Sequence, residues 1–527
     1  MSTNNPKCFV FAIGGTGSRV LRSLTHLLAA GVKPENNNFD IIPIIIDPHH
    51  GNEDLQRAAR LLDYYKKIRK LSDPNGFFPT KIYTLEDLKA AEPDKFDEKT
   101  VFTFKLRGSG DKFRDYIDYG NMGPENAALA ELLFSGHSKN KNGEDCPLLD
   151  IQMDIGFVGN PNVGSVVLNQ IVDPDSDNSI FASFTRHFNP SNDDRIFIIS
   201  SIFGGTGAAG FPCLLKNIRE GKGEGSANLK IAKIGAVSIL PYFKLEKKEG
   251  SAINYSDFIA KTKSALYYYG KNVTGNKSVN VMYYIGDNPN KSYDNDPGYG
   301  GQKNKSHFVE LAGALAVINF LSIPKEDSRL KCEIKTEGNV SVGRATNPVC
   351  NEFSIQRDAS NPNFFDFQPT TQKLMAMPLA QFALFRKYMD EEYKNKTKDW
   401  KKEPPKLDDG ILTDGFYRDN LQNFFNDFHE WLTELNENNR GFAPFNLTRG
   451  SELKSFIKGM ELEEKGTLLW KKKIPTYTDF EECLNEFSRN KSSWTQEKKL
   501  MDVFHSATYK LLDKLYELNA KTGGAKK

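Results

Sequence analysis

The chain is predicted to fold as an α/β protein: a mostly parallel sheet with helices on both faces, followed by a smaller, largely helical C-terminal region. Three observations predict this. Short apolar runs, CFVFAI at Cys8–Ile13 and IFIISSI at Ile196–Ile202, read as strands buried on both faces. Each ends in a glycine-rich turn followed by apolar residues at helical spacing, the unit from which parallel sheets are built. Beyond about residue 370 strand-like patterning gives way to helical periodicity, as in Leu421, Phe424, Phe425, Phe428, Trp431, Leu432 and Leu435.

Taken in order, Cys8–Ile13 is the first strand, and Val20, Leu21, Leu24, Leu27 and Leu28 mark the helix that follows it. Ile41–Ile46 is the second strand, closing on Asp47-Pro48; Pro43 inside it predicts an edge or bulged position, because proline cannot donate to a ladder. Residues 52–135 read as helical and charged, with Leu55, Ala58, Leu61, Leu62 and Ile68 at helical spacing. Ile151–Val158 reads as a further strand, as do Ile231–Leu240 and Val279–Ile285. Ser306–Leu321 is apolar on most faces and predicts a buried helix. Residues 330–370 hold short strand-like pieces, and Lys401–Lys406 (KKEPPK) reads as a linker.

A chain of 527 residues exceeds what one core usually supports. The expected division is 1–322, with a helical insertion at about 52–150; an intermediate α+β segment at 323–399; and a helical region at 400–527. Net charge is +2, which nominates neither nucleic acid nor a membrane surface as a partner. The six cysteines are scattered without CxxC pairs and suit reduced thiols. No apolar run approaches membrane-spanning length and no signal-peptide pattern opens the chain, so a cytoplasmic protein without an integral membrane segment is expected.

The chemistry concentrates in two glycine loops, Gly14-Gly15-Thr16-Gly17-Ser18 and Gly204-Gly205-Thr206-Gly207-Ala208-Ala209-Gly210. In a parallel sheet both lie on one edge, at the carboxyl ends of the strands. Glycine lets backbone approach phosphate oxygens closely, and the free N–H groups of helix starts point at the anion. Thr16, Ser18 and Thr206 add hydroxyl donors. A lone glycine loop is most simply a tight turn; two with one chemistry on one edge predict phosphate binding. Neither supplies the Walker A lysine, and GxGxxG is absent, so backbone amides, hydroxyls and a Mg²⁺ ion are left to hold the phosphates.

The second loop resembles the signature of the tubulin/FtsZ superfamily, with Phe203 where the family has its first glycine. Gly14–Gly17 resembles the first phosphate loop, and Ile44–Asp47 the second strand with its acidic loop. Gly159-Asn160-Pro161-Asn162-Val163-Gly164 is similar to the stretch near the γ-phosphate. Val237–Phe243 with Glu246 is similar to FtsZ's VTxPFxxE. Asp287-Asn288 falls where the family has the Asn-Asp near ribose and base, and Ser306-His307-Phe308-Val309 resembles the start of the central helix. These blocks are collinear over residues 8–322. Ser18 and Ser306 stand where the family has asparagine.

The resemblance implies a divergent bacterial tubulin-like protein that binds GTP/GDP with Mg²⁺. Its nucleotide state would control head-to-tail homo-oligomerisation, with a slow GTPase activity completed between subunits and a protein partner on the C-terminal helical region. The nucleotide contacts it implies are Gly14, Gly15, Thr16, Gly17, Ser18, Asp47, Asn160, Pro161, Gly204, Gly205, Thr206, Gly207, Ala208, Glu246, Asp287, Asn288 and Ser306. No residue is nominated as catalytic or as a metal ligand: no acidic loop equivalent follows the central helix, and Glu326-Asp327 reads as a solvated helix exit. Two other readings stand beside it, a non-hydrolysing scaffold on the same fold and a Rossmann-like NAD(P) or flavin oxidoreductase, for which Asp47 would supply the acid ending the second strand. His49-His50, His307, Cys213 and the lysine runs Lys66–Lys70 and Lys471–Lys473 read as loop, core and solvated positions.

Overall fold

The computed structural model describes residues 5–35, 38–49, 51–89, 103–104, 108, 110–139, 144–157, 159–169, 180–221, 226–245, 255–288, 292–293, 304–352, 362–395, 399, 401–438, 440–460, 462, 473–489, 491 and 493–523. Its centre is a seven-stranded sheet. In chain order the strands are β1 (Lys7–Ile13), β2 (Asp40–Ile46), β3 (Thr103–Phe104), β4 (Arg195–Ser201), β5 (Lys233–Ile239), β6 (Val281–Ile285) and β7 (Val349–Glu352). In space they run β7-β6-β5-β4-β1-β2-β3, and every neighbouring pair is parallel.

Helices cover both faces. On one lie α1 (Gly14–Ala30) and α6 (Phe308–Ser322), with α2 (Glu53–Ser72) packed against α1. On the other lie α3 (Pro161–Leu168), the helix Ile180–His187 and α4 (Gly205–Glu220). The alternation of β1 decides the sides. Phe9 and Phe11 stack edge-on against Phe184 of the second layer at 4.9 and 5.2 Å. Ala12, pointing the other way, is approached by α1 at Gly17. The apolar α6 is buried along nearly its whole length, as its sequence predicts.

Pro43 sits where its missing N–H costs least. The N–H of Ile41, two residues earlier and so on the same side of β2, points outward and reaches the Lys81 carbonyl at 2.9 Å. Among the described residues, β2 is paired on its outer side at Ile41, by a bridge to Ile82, and at Ile45 and Ile46, by β3, so Pro43 faces a gap in the ladder.

Three expectations are corrected. Ile151–Val158 is not a strand: Met153–Ile155 forms a 3₁₀ turn. Its apolar residues enter the core singly, with Ile151 and Met153 fully buried, and a short apolar run does not distinguish that from a strand. The 52–150 insertion is not wholly helical, since it supplies β3 and the hairpin His137–Lys139/Asp145–Pro147. The sheet also extends past residue 322, because β7 adds to its edge after the hairpin Cys332–Glu337/Val340–Ala345.

The C-terminal helices α7 (Pro369–Asn395), α8 (Gln422–Asn436), α9 (Tyr477–Ser488) and α10 (Gln496–Gly523) close on α1 and α2, sharing one continuous apolar core with the sheet. The seam carries a buried polar network. Arg22 of α1 donates to Asp427 and to Glu434, each at 2.8 Å, and His26 meets Asp427 at 3.0 Å. The His26 ring stacks on Trp431, 4.9 Å between centroids. Trp431 in turn donates its indole N–H to the Ser23 hydroxyl at 3.1 Å. Removing one partner of such a pair leaves a buried charge uncompensated.

Burial pushes the His26 imidazole down to about 4. The folded chain therefore keeps it neutral at pH values where the unfolded chain, with an ordinary value of about 6.5, takes up a proton. Fewer protons are bound in the folded state across that window, so this group's contribution to stability falls as pH drops from about 6.5 toward 4. Asp427, held below the ordinary carboxylate range by His26 and Arg22 despite its burial, acts only at lower pH. The slope of urea-unfolding free energy against pH in the upper window is expected to flatten in His26→Gln; equal slopes in variant and parent would contradict this assignment.

Candidate functional site

The strand order reverses between β1 and β4. From β1 the chain moves outward through β2 and β3, then returns to place β4 on the other side of β1. Such a reversal opens a crevice at the carboxyl ends of the two central strands. Both glycine loops lie in that crevice. A Cβ on Gly14 would stand 3.4 Å from the Thr206 Cβ and 3.5 Å from the Gly207 nitrogen, so the two loops touch. Gly14 has φ +74°, a conformation in which glycine avoids the strain of a side chain.

A third turn joins them. A Cβ on Gly205 would meet the backbone nitrogens of Gly159 and Asn160 at 3.1 and 3.2 Å. Asn160 precedes α3, and Pro161 takes its first position, where a missing N–H is harmless. Three helix starts, those of α1, α3 and α4, therefore converge. None is capped by a side chain, and none carries an acidic residue in its first turn. Helices α2 and α6, by contrast, are capped by Asn52 and His307. A helix start has N–H groups without intrahelical partners and the positive end of the helix dipole. Three uncapped starts facing one space form a cradle for an anion.

The space is a cavity of about 200 Å³ lined by Gly14, Gly15, Thr16, Gly159, Gly204, Gly205, Thr206 and Gly207 from the loops. Arg19, Asn52, Asp54, Ser201, Phe203, Tyr242, Phe243 and Asn304 complete it. This volume is below the roughly 300–1,000 Å³ of sites that enclose a whole small molecule. It suits the phosphate end of a ligand whose remainder lies outside.

The charged wall is tightly held. The Arg19 guanidinium donates to Glu310 at 2.6 Å, to Asp54 at 3.1 Å and to the Lys305 carbonyl at 2.7 Å. Burial would lower its pKa, but Glu310 and Asp54 outweigh that and raise it, so Arg19 is a permanent cation. The Tyr242 hydroxyl donates to the same Glu310 oxygen at 2.8 Å. Burial raises the carboxyls of Asp54 and Glu310, with Arg19 opposing in both. Asp54 uses one oxygen on Arg19, and its other lies 3.8 Å from where a Gly15 Cβ would stand. Asn304, 7% exposed, also lines the cavity.

Of the residues implied by resemblance, Gly14, Gly15, Thr16, Gly204, Gly205, Thr206 and Gly207 come together on the cavity wall. Gly17 lies beneath it, where a Cβ would come within 2.8 Å of the Ala12 backbone. Ser18 is fully buried and its hydroxyl donates to the Gly14 carbonyl at 3.4 Å. Asn160 borders the Gly205 side with Pro161 following it at the start of α3, and the Ala208 carbonyl accepts from Tyr269 at 3.3 Å. Asp47 ends β2 just behind Asn52, accepts from the His49 amide at 3.0 Å, and is pushed up to about 7 by burial.

Others are turned to internal duties. Asp287 is paired with Arg440 at 2.7 Å and accepts from the Asn288 amide at 2.8 Å. Ser306 accepts from Arg22 at 2.9 Å and donates to Glu434 at 2.7 Å. Neither pair lines the cavity. Glu246 lies outside the described residues. His307 is the N-cap of α6, forming a reciprocal capping box with Glu310. Arg19, Asp54 and Asn304 were not nominated from sequence. Only Arg19 had a local signal, one helical turn past Thr16; the others depend on tertiary packing.

No protein-family model and no curated protein matches the chain. Among solved structures it is similar to CetZ from Methanosaeta thermophila, with 11% identity over 53% of this chain and 46% of that one, at a TM-score of 0.21. It is also similar to the helical model of the TubZ-Bt two-stranded filament, with 12% identity over 62% and 56% and a TM-score of 0.23. A third match is the GTPγS-form protofilament of Bacillus thuringiensis serovar israelensis TubZ, with 11% identity over 62% and 58% and a TM-score of 0.24. The chain thus spans about half of those chains' length. With TM-scores of this size, the fold assignment rests on strand order and loop position.

The glycines separate by what surrounds them. Gly17→Ala is expected to lower urea-unfolding stability by about 1–3 kcal/mol, because the added methyl meets strand backbone. Gly15→Ala meets side-chain atoms alone, the Asn52 amide at 3.1 Å and Asp54 at 3.8 Å, and is expected to change stability by no more than about 0.5 kcal/mol while narrowing the cavity. Equal losses at both positions would contradict this division.

Proposed function

We propose that this chain is a tubulin-like nucleotide-binding protein that holds GTP or GDP in the cradle between its glycine loops. The observation that carries the reading is the convergence of three uncapped helix starts at the reversal of strand order. Phosphates would lie against the amides following Gly14 and Gly204 and against the Gly159 amide itself, with the Thr16 and Thr206 hydroxyls alongside. The choice of guanine rests on the collinear sequence blocks.

Mg²⁺ fits the same reading. Among the described residues no three His, Cys, Asp or Glu side chains gather into a metal cage. Asp54 presents a carboxylate oxygen on the wall beside the first loop, and a bound Mg²⁺ would share it with phosphate oxygens and water. That cation would also neutralise charge the amides leave uncompensated.

In this reading nucleotide state controls head-to-tail self-association, and the α7–α10 region carries contacts to a protein partner. A heterologous contact that does not close gives filaments. Among the described residues no helix is long and apolar enough to cross a membrane. The oxidoreductase alternative loses support from Asp47, which would have to hold a ribose but is turned to the His49 amide. The scaffold alternative draws support from Asp327, which pairs with Arg329 at 2.8 Å, leaving the exit of α6 without a free acidic pair.

Fluorescent GTP binding tests the reading, comparing the parent with Gly204→Val/Gly205→Val. The double variant is expected to lose at least about tenfold in affinity, since side chains there fill the approach to the amides. Undiminished affinity removes the cradle as the nucleotide site. Phosphate release per chain, measured at rising protein concentration, separates an assembling GTPase from a scaffold. It accelerates when hydrolysis is shared between subunits and stays flat in the scaffold.

A further inference from the structure

The cradle has a charge problem that its wall does not solve. Arg19 is the cationic side chain lining the cavity among the described residues, and it is already matched by two carboxylates, Asp54 and Glu310. A polyphosphate entering beside them would meet more negative charge than positive. One further cation is brought to the rim from a different element. Lys261, on α5 (Tyr255–Tyr269), donates its ammonium to the Gly159 carbonyl at 2.7 Å. Gly159 itself lines the cavity, and its nitrogen faces the start of α4. The ammonium is therefore held on the Gly159 turn, whose nitrogen side faces the second loop.

We infer that Lys261 is a ligand-binding residue, the cation that grips the phosphate oxygens lying against Gly159 and Gly205. The inference rests on the phosphate-cradle reading and adds to it a charged contact that neither glycine loop contains. The chemistry suits the placement. A lysine ammonium has three N–H donors on a flexible four-carbon stem, so it reaches an anion while keeping, or exchanging, its carbonyl contact. Its position on a separate helix explains why the loops carry no lysine of their own: the cation arrives from the side, some fifty residues after the second loop. The ligand class it fits is a chain of phosphates, long enough to lie against the Gly159 turn and the second loop together.

The test uses the full chain with two probes, inorganic tripolyphosphate and a fluorescent GTP analogue, against Lys261→Gln and Lys261→Arg. Glutamine is expected to weaken both probes by about tenfold or more, the worth of a hydrogen bond to a charged group. It should also flatten the dependence of affinity on salt, while arginine stays within about threefold of the parent. Melting temperatures should be unchanged. Parent-like binding by Lys261→Gln overturns the inference while leaving the cradle intact. So does an equal loss in both variants with a lowered melting temperature, which marks Lys261 as a strut between α5 and the Gly159 turn. Failure of the parent to bind either probe overturns the cradle reading itself.

Discussion

Everything in this molecule that bears on function depends on β1 and β4 being hydrogen-bonded neighbours although some 180 residues separate them. Their parallel register, Cys8 opposite Arg195 through Ala12 opposite Ile199, brings two strand ends level. Each strand gives way to a helix at that level, α1 at Gly14 and α4 at Gly205. The glycines permit the contact between them, since Gly14 holds φ +74° and a side chain at Gly207 would press on the strand end beneath. A shift of one residue in register would flip every side chain of β1 to the other face and separate the two helix starts.

The same helix that opens the cradle also carries the C-terminal region. Along α1, Arg19 faces the cavity, and Arg22 and His26, each a turn or so further on, reach α8. The segment just before α6 is caught between these two sides: the Lys305 carbonyl accepts from Arg19, and Ser306 accepts from Arg22 and donates to Glu434. Asn438 adds a further hydrogen bond to the Ser306 carbonyl. The buried ions are satisfied because each has two or more partners, the condition under which ion pairs persist in a core. The cavity wall and the docking seam are thus one polar network.

Local chemistry explains which features sequence reading reaches. Strands such as Arg195–Ser201 are apolar on both faces and stand out; the glycine loops stand out because few other roles call for glycine at a strand end. Ile151–Val158 misleads because an apolar run alone does not separate a strand from side chains entering the core one by one. β3 escapes detection, and β7 is legible only as one of the short strand-like pieces of 330–370, because edge strands of two to four residues carry little pattern. In the site, the backbone part is readable and the side-chain wall is not. Asp54 comes from α2, Asn304 from the approach to α6 and Lys261 from α5, and nothing in their neighbourhoods along the chain marks them. Ser306 and Asp287 show the converse. Family position points to them, but Arg22, Glu434 and Arg440 engage them, partners that only the docked C-terminal region provides.

Backbone amide hydrogen exchange, measured with and without GTP, addresses the central claim most directly. The account predicts that amides of Gly15–Gly17, Gly159 and Gly205–Gly207 slow together on ligand addition, because one bound polyphosphate takes hydrogen bonds from all three turns. Protection confined to one loop, or protection elsewhere with all three unchanged, would contradict it.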